Sequence, residues 1–321
     1  MTVVDTLLDR LILPGNSRIG YRVRSRRADW PADPPPDSLK DADALVTGAG
    51  AGLGTATAAG LARLGARVHL LGRRLDRLEH ARAQIVAEVP GAVTEVEQCD
   101  LSVLARVREF AEDFRARVPA LRVLVHNAGT LVHERVETEE GNELDLATHV
   151  LGPFLLTGLL RANLAAAAPS RVIFVTSSGM YGQRLHSEDP QYLRGDYRGA
   201  TAYARTKRMQ VVLAEQWSTR LADEGITVHS VHPGWAETPG LAQGLPRFRT
   251  ITRRLLRTAD EGADTTVWVA AAPEPAARPG LLWHDRTPRP THLLPHTRET
   301  PEQRAELWRT CERLTGLSVP D

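Results

Sequence analysis

Residues Ala44-Leu45-Val46-Thr47-Gly48-Ala49-Gly50-Ala51-Gly52-Leu53-Gly54 set the fold. A short apolar run leads in, and an alanine-rich run, Thr55–Leu64, leads out and stops at Gly65. The first reads as a buried strand and the second as a helix ended by glycine. Between them Gly48, Gly52 and Gly54 keep the spacing G-x-x-x-G-x-G. A strand that turns tightly into a helix start presents backbone N–H groups at close range, and a dinucleotide pyrophosphate requires that approach. A glycine-rich turn without a ligand is the alternative, and the strand–turn–helix context weighs against it.

Outward from this turn, strand and helix alternate. Arg67–Leu71, Val93–Gln98, Val123–His126, Arg171–Thr176 and Ile226–Val231 read as strands, with Gly280–Trp283 as a last one. Leu75–Val89, Val103–Val118, Asn142–Ala166, Thr201–Asp223 and Asp260–Ala271 read as helices, the third bent by Gly152-Pro153. The alternation predicts a single α/β domain, a three-layer doubly wound (Rossmann) parallel sheet of about seven strands. The expected divisions are 1–38, an N-terminal helix and Pro-rich linker; 39–287, the catalytic domain; and 288–321, a tail with a short amphipathic helix over Pro301–Leu314. The stripe in Val3–Leu13 fits packing on the domain better than a peripheral membrane contact.

Composition narrows the partners. Among 321 residues the charged side chains nearly cancel, to a formal +1, which gives no case for nucleic acid. Cys99 and Cys311 imply no disulfide framework and fit a reducing cytoplasm. The start lacks the pattern of a signal peptide, and the apolar stretch Val150–Leu164 is broken by Gly152, Pro153, Arg161 and Asn163. A soluble, cytoplasmic protein is expected.

Two further features bear on chemistry. The second strand ends Leu71-Gly72-Arg73-Arg74. The place where an acid would hold an NAD ribose is Gly72, and the next residue is a guanidinium that can pair with a 2′-phosphate. NADP(H) is therefore expected over NAD(H). Downstream, Tyr203 and Lys207 lie one turn apart on one helix face. An ammonium beside the phenol lowers its pKa toward a useful acid/base range. Ser178, at the end of a buried strand, can hold a carbonyl oxygen. His229 and His232 have no partners at metal spacing, so no metal is expected. Asp285-Arg286 reads as a structural ion pair, and neither cysteine has a flanking base.

In this order these words resemble the short-chain dehydrogenase/reductase (SDR) superfamily over residues 40–285. Thr47–Gly54 matches its T-G-x-x-x-G-x-G, so the resemblance assigns Thr47, Gly48, Gly50, Ala51, Gly52, Leu53 and Gly54 to the cofactor. Asn127-Ala128-Gly129 matches the family's N-A-G, which steadies the sheet beside the cofactor. Asp100-Leu101 sits where the family contacts adenine. Ser178, Tyr203 and Lys207 match its catalytic serine, tyrosine and lysine, the lysine also holding the nicotinamide ribose. Pro233-Gly234-Trp235-Ala236-Glu237-Thr238 resembles P-G-x-V-x-T, whose threonine reaches the carboxamide or a phosphate.

Two departures stand out. His149 occupies the place of the asparagine that holds a relay water in the family, and it reads equally as a replacement or as a structural residue. Ser178 and Tyr203 are 25 apart, longer than usual. The extra stretch resembles that of retinol-dehydrogenase-like members, beside an orphan branch with S-S-G-G-M and H-P-G-W-A-x-T-P-G words. Met180, Tyr181, Tyr192 and Trp235 would then line a substrate pocket, although Tyr192 and Tyr197 fit packing slightly better. The expected function is hydride transfer between NADP(H) and an apolar ketone, aldehyde or secondary alcohol. A non-catalytic NADP(H)-binding regulatory module is the alternative. The resemblance also implies a homodimer or homotetramer, paired through Asn142–Ala166 and Thr201–Asp223.

Overall fold

The computed structural model describes residues 12–237, 249–250 and 252–319. Its strands are β1 (Asp43–Thr47), β2 (Arg67–Gly72), β3 (Thr94–Gln98), β4 (Val123–His126), β5 (Ser170–Val175), β6 (Ile226–Val231), β7 (Leu282–His284) and β8 (Thr287–Arg289). They form one sheet in the order β3-β2-β1-β4-β5-β6-β7-β8. The first seven run parallel, and β8 returns antiparallel beside β7. The main helices are α1 (Arg18–Ser25), α2 (Leu53–Arg63), α3 (Leu75–Glu88), α4 (Leu104–Arg117), α5 (Gly152–Leu159), α6 (Gly199–Arg220), α7 (Ala259–Ala271) and α8 (Pro301–Thr315).

Alternating residues of the strands feed two cores. Ile173 and Val175 face a layer with Leu61, Leu78 and Trp268. Val172 and Phe174 face the other, with Phe114, Phe154 and Trp217. This two-sided burial is why the strands read as continuous apolar runs. The strand order reverses between β1 and β4, and ligands of such sheets bind outside the carboxyl ends at that switch.

The structure differs from the sequence reading at both ends. β8 escaped it because Pro288 lies within the strand, a residue tolerated only at an edge. The turn into it, Asp285-Arg286, has left-handed backbone at both residues, φ 51° and 52°. The two side chains do not pair with each other. Asp285 accepts Arg24 at 2.7 Å and Arg257 at 2.6 Å, while Arg286 pairs with Asp33 and Asp264, each at 2.6 Å. Each half of the strained turn is clamped by separate arginine–carboxylate contacts.

The N-terminal linker lies along the body: Trp268 donates its indole N–H to Ala32 O and Arg286 donates to Pro31 O. Residues 3–11 of the apolar stripe lie outside the described residues. Among the described residues no helix is long and apolar enough to cross a membrane.

At the other end α8 begins at a Thr300/Gln303 capping box and buries Leu307, Trp308 and Cys311. Trp308 packs against Phe154 at 4.9 Å and Trp217 at 4.8 Å between ring centroids. These contacts occupy faces of α5 and α6, the region that the resemblance put in a subunit interface.

The region expected as one bent helix, Asn142–Ala166, is broken into pieces. Leu144–Leu146 runs into a π turn at Ala147–Leu151, then α5, then Arg161–Ala166. Pro153 has no amide hydrogen to offer the carbonyl of His149 four residues earlier. Gln210 Nε2 takes that carbonyl instead, at 2.8 Å.

Candidate active site

The glycine turn follows β1 at the switch point. Gly48 and Gly52 have φ of 67° and 57°, values that glycine adopts without a side-chain penalty. A Cβ on Gly54 would lie 2.1 Å from Gly48 O and 2.7 Å from Asn127 Nδ2. Thr47 Oγ1 accepts N–H bonds from Asn127 and Ala128, both at 3.0 Å, and Asn127 Nδ2 donates to Thr47 O at 3.0 Å. The ends of β1 and β4 are thereby locked together. No side chain caps the start of α2, so its first N–H groups are available to an anion. A groove of about 730 Å³ opens along this turn between α2 and α3, and none of its lining residues belongs to the Tyr203 group. Gly54→Ala is expected to cost roughly 1–3 kcal/mol of stability by overpacking and to abolish tight nucleotide binding. Thermal unfolding and NADPH fluorescence titration check both.

The end of β2 carries no acid. Arg74 is held by Asp76 at 2.5 Å, whereas Arg73 is exposed and its guanidinium has no partner among the described residues. Arg77, one turn further along, was missed in the sequence reading. Its Cβ would lie 3.2 Å from a Cβ placed on Gly50, a contact that brings the first turn of α3 to the glycine turn and that the sequence does not signal. Asp100, at the end of β3, spends one carboxyl oxygen on Ser102 N and Oγ at 3.0 and 2.7 Å. Leu101 is buried.

The acid/base group is built on α6. Tyr203 and Lys207 lie together, Lys207 Nζ 5.4 Å from the centre of the phenol ring. Ser177 lies beside the phenol hydroxyl and works to lower its pKa. Ser178 Oγ instead accepts the indole N–H of Trp235 at 3.2 Å. Both serines stand at comparable sequence distance from Tyr203, and only the backbone leaving β5 decides which hydroxyl meets it. Burial pushes the Tyr203 phenol up to about 12; Ser177 works against this and Asp145 adds to it. Burial pushes Lys207 down to about 7, with Asp145 opposing. Burial, rather than Lys207, sets the direction of the Tyr203 shift. Both groups are desolvated together, and a lysine that gives up its charge exerts little field on its neighbour. Lys207 Nζ donates to Val175 O at 2.9 Å and Gln210 Oε1 at 3.0 Å.

His149 is fully buried with both ring nitrogens engaged. Nε2 accepts Thr130 N–H at 2.9 Å, which leaves the proton on Nδ1, facing Thr206 Oγ1 at 2.8 Å. Thr206 Oγ1 donates onward to Tyr203 O. Burial holds the imidazole neutral, well below its usual pKa. It packs edge-on against the Tyr203 ring at 5.4 Å, and a Cβ on Gly129 would come within 3.3 Å of its Nε2. Both ring nitrogens are thus engaged within the chain.

The expected pocket residues separate. Met180 is fully buried against Val211 and Leu282, so it is core rather than lining. Tyr181 is partly buried and its hydroxyl donates to Pro290 O at 3.0 Å. Tyr192 lies under Arg205, 3.8 Å from its ring centre, and Tyr197 donates to Glu143. Both are packed residues. Trp235 is held from behind: its N–H donates to Asn16 O and its carbonyl accepts Arg257 N–H, both at 2.8 Å. Gly234 lets the Arg257 side chain pass, since a Cβ there would lie 2.3 Å from Arg257 Nε. Thr238 lies outside the described residues. His229 Nδ1 accepts the indole N–H of Trp283, and His232 Nε2 meets Asn16 Oδ1. No group of three potential metal ligands forms among the described residues.

The short chain dehydrogenase family model matches residues 42–245. "Dehydrogenase/reductase SDR family member 12" of Bos taurus is 40% identical over 84% of this chain and 85% of its own length. Retinol dehydrogenase 11 of Mus musculus is 35% identical over 71% of this chain and 72% of its own. A solved structure from Beutenbergia cavernae with bound NADP (low occupancy) superposes with a TM-score of 0.62 at 26% identity, covering 78% of this chain and 97% of that one. The chain belongs to the short-chain dehydrogenase/reductase family, near its retinol-dehydrogenase-like members.

Proposed function

We propose that this oxidoreductase transfers a hydride between NADP(H) and an apolar ketone, aldehyde or secondary alcohol. The reading rests on one observation above all: a half-buried phenol, beside Ser177 and one turn from Lys207, stands near the carboxyl end of β5 in a sheet whose β1 ends in an uncapped glycine turn. The glycine turn, Arg73 and Arg77 would hold the dinucleotide, whose nicotinamide supplies or accepts the hydride. Tyr203, protonated at neutral pH, gives its proton to the carbonyl oxygen during reduction. Ser177 orients that oxygen, and Lys207 compensates the phenolate that remains. Ser178 acts at one remove, fixing the Trp235 indole over the site. Trp235 and Tyr181 favour an apolar substrate, as does kinship with a protein named for retinol.

NADPH oxidation across lipophilic carbonyls of graded size tests the reading, with expected turnover that improves with apolar bulk. The preference for the phosphorylated cofactor has its own test. Arg73→Ala should weaken NADPH binding by roughly 10- to 100-fold, the 1.5–3 kcal/mol of a charge-assisted hydrogen bond, and leave NADH binding unchanged. Parallel fluorescence titrations read the two affinities, and equal losses would refute the phosphate contact.

A further inference from the structure

Asp145 lies in the short piece Leu144–Leu146 that enters the π turn. It is completely buried, and neither carboxyl oxygen has a hydrogen-bond partner among the described residues. An orphaned buried carboxyl is costly to keep, so its position calls for a reason. Burial lifts its pKa up to about 8, with Glu143 acting in the same direction and Lys207 against it. The charges that reach it come from Glu143 beside it, from Tyr197 just ahead of α6, and from Tyr203 and Lys207 on α6.

Lys207 has few groups with which to exchange a proton. Its two hydrogen-bond acceptors are the amide oxygens of Val175 and Gln210, neither of which takes up a proton. The Gln210 amide continues to His149 O, the carbonyl that Pro153 leaves open, and the His149 ring is saturated. Among the described residues Asp145 is the titratable carboxyl whose charge couples to the lysine.

We propose that Asp145 is the proton store behind Lys207: its carboxyl gives one proton to the neutral amine and takes it back in each turnover. This rests on the assignment of Tyr203 and Lys207 above. The transfer breaks a carboxyl O–H bond and forms an N–H bond on the Nζ lone pair, leaving carboxylate and ammonium. No electrons move between groups and no co-reactant is needed. The two side chains are not hydrogen-bonded to each other, so the transfer requires a water that would bridge the unpartnered oxygens to Nζ. Asp145 touches no substrate; it sets the charge on Lys207, and through it the proton supply to Tyr203.

Infrared difference spectroscopy of the full chain, with ¹³C-labelled aspartate and stepped pH, tests this without any substrate. The expected result is one protonated carboxyl signal that titrates near neutral pH, is lost in Asp145→Asn, and moves to higher pH in Lys207→Met, where the opposing cation is gone. A wild-type spectrum identical to that of Asp145→Asn would overturn the proposal, and so would a signal that Lys207→Met leaves in place. Asp145→Asn is nearly isosteric, and circular dichroism establishes that it folds before spectra are compared; the Lys207→Met shift carries the test should it not. With NADPH and the carbonyls above, the lysine-dependent limb of the pH–rate profile should move down by roughly one unit in Asp145→Asn, because a carboxylate that raised the lysine pKa is removed. An unmoved limb contradicts the proposal. Absent turnover in the wild type would instead count against the catalytic reading, leaving the spectra to decide on Asp145.

Discussion

Tyr203→Phe is expected to lower carbonyl reduction by about a thousandfold, within the range for loss of a positioned general acid, while NADPH affinity stays within twofold of wild type. The phenol is the group at this site that combines an O–H with a position beside both Ser177 and Lys207. Removing one oxygen from a ring packed against His149 changes the fold little. The two neighbouring serines sharpen the test. Ser177→Ala removes the hydroxyl beside the phenol, whereas Ser178→Ala releases the Trp235 indole. The first should fall mainly on kcat and the second mainly on KM. Steady-state kinetics of the three variants read these effects, and a Ser178→Ala loss in kcat exceeding that of Ser177→Ala would reverse the assignment.

The largest effect on stability is expected at Asp285. Its fully buried carboxylate meets two buried guanidiniums, those of Arg24 and Arg257. Breaking such a set from one side costs roughly 3–5 kcal/mol, because charges stay buried without their counter-ion. Asp285→Ala should therefore lower the unfolding midpoint strongly in thermal or urea melts. Asp285→Asn should cost less, since asparagine tolerates the left-handed backbone and keeps one acceptor. The arginines hold the Asp285 pKa far below the usual carboxylate range. A depressed carboxylate contributes its stability above the unfolded pKa, so the contribution should persist through neutral pH and fade only on strong acidification. Because Arg257 also carries the backbone of Trp235, Asp285→Ala should raise KM as well.

The sequence revealed the parts whose reasons are local. The turn Thr47–Gly54 announces itself because a tight strand-to-helix junction needs glycine, and Tyr203 and Lys207 because helical spacing places them on one face. Features that depend on distant chain segments stayed hidden. Asp285 finds its partners at Arg24 and Arg257, far apart in sequence. The choice between Ser177 and Ser178 depends on how the backbone leaves β5, and Met180 read as lining although it faces the core. His149 was ambiguous because its role depends on Thr130 and Thr206, which saturate it. Burial, which sequence does not show, pushes Tyr203 up and Lys207 down.

The central claim concerns hydride passing beside a phenol that supplies the proton. Single-turnover transfer from NADPH deuterated at the reactive position tests it most directly, followed by mass spectrometry of the alcohol product. The expected result is deuterium on the carbinol carbon with the wild-type chain and a rate that collapses in Tyr203→Phe. Tight NADPH binding with the label retained on the nicotinamide for every carbonyl offered would contradict the account and identify the chain as a nucleotide-binding module without chemistry.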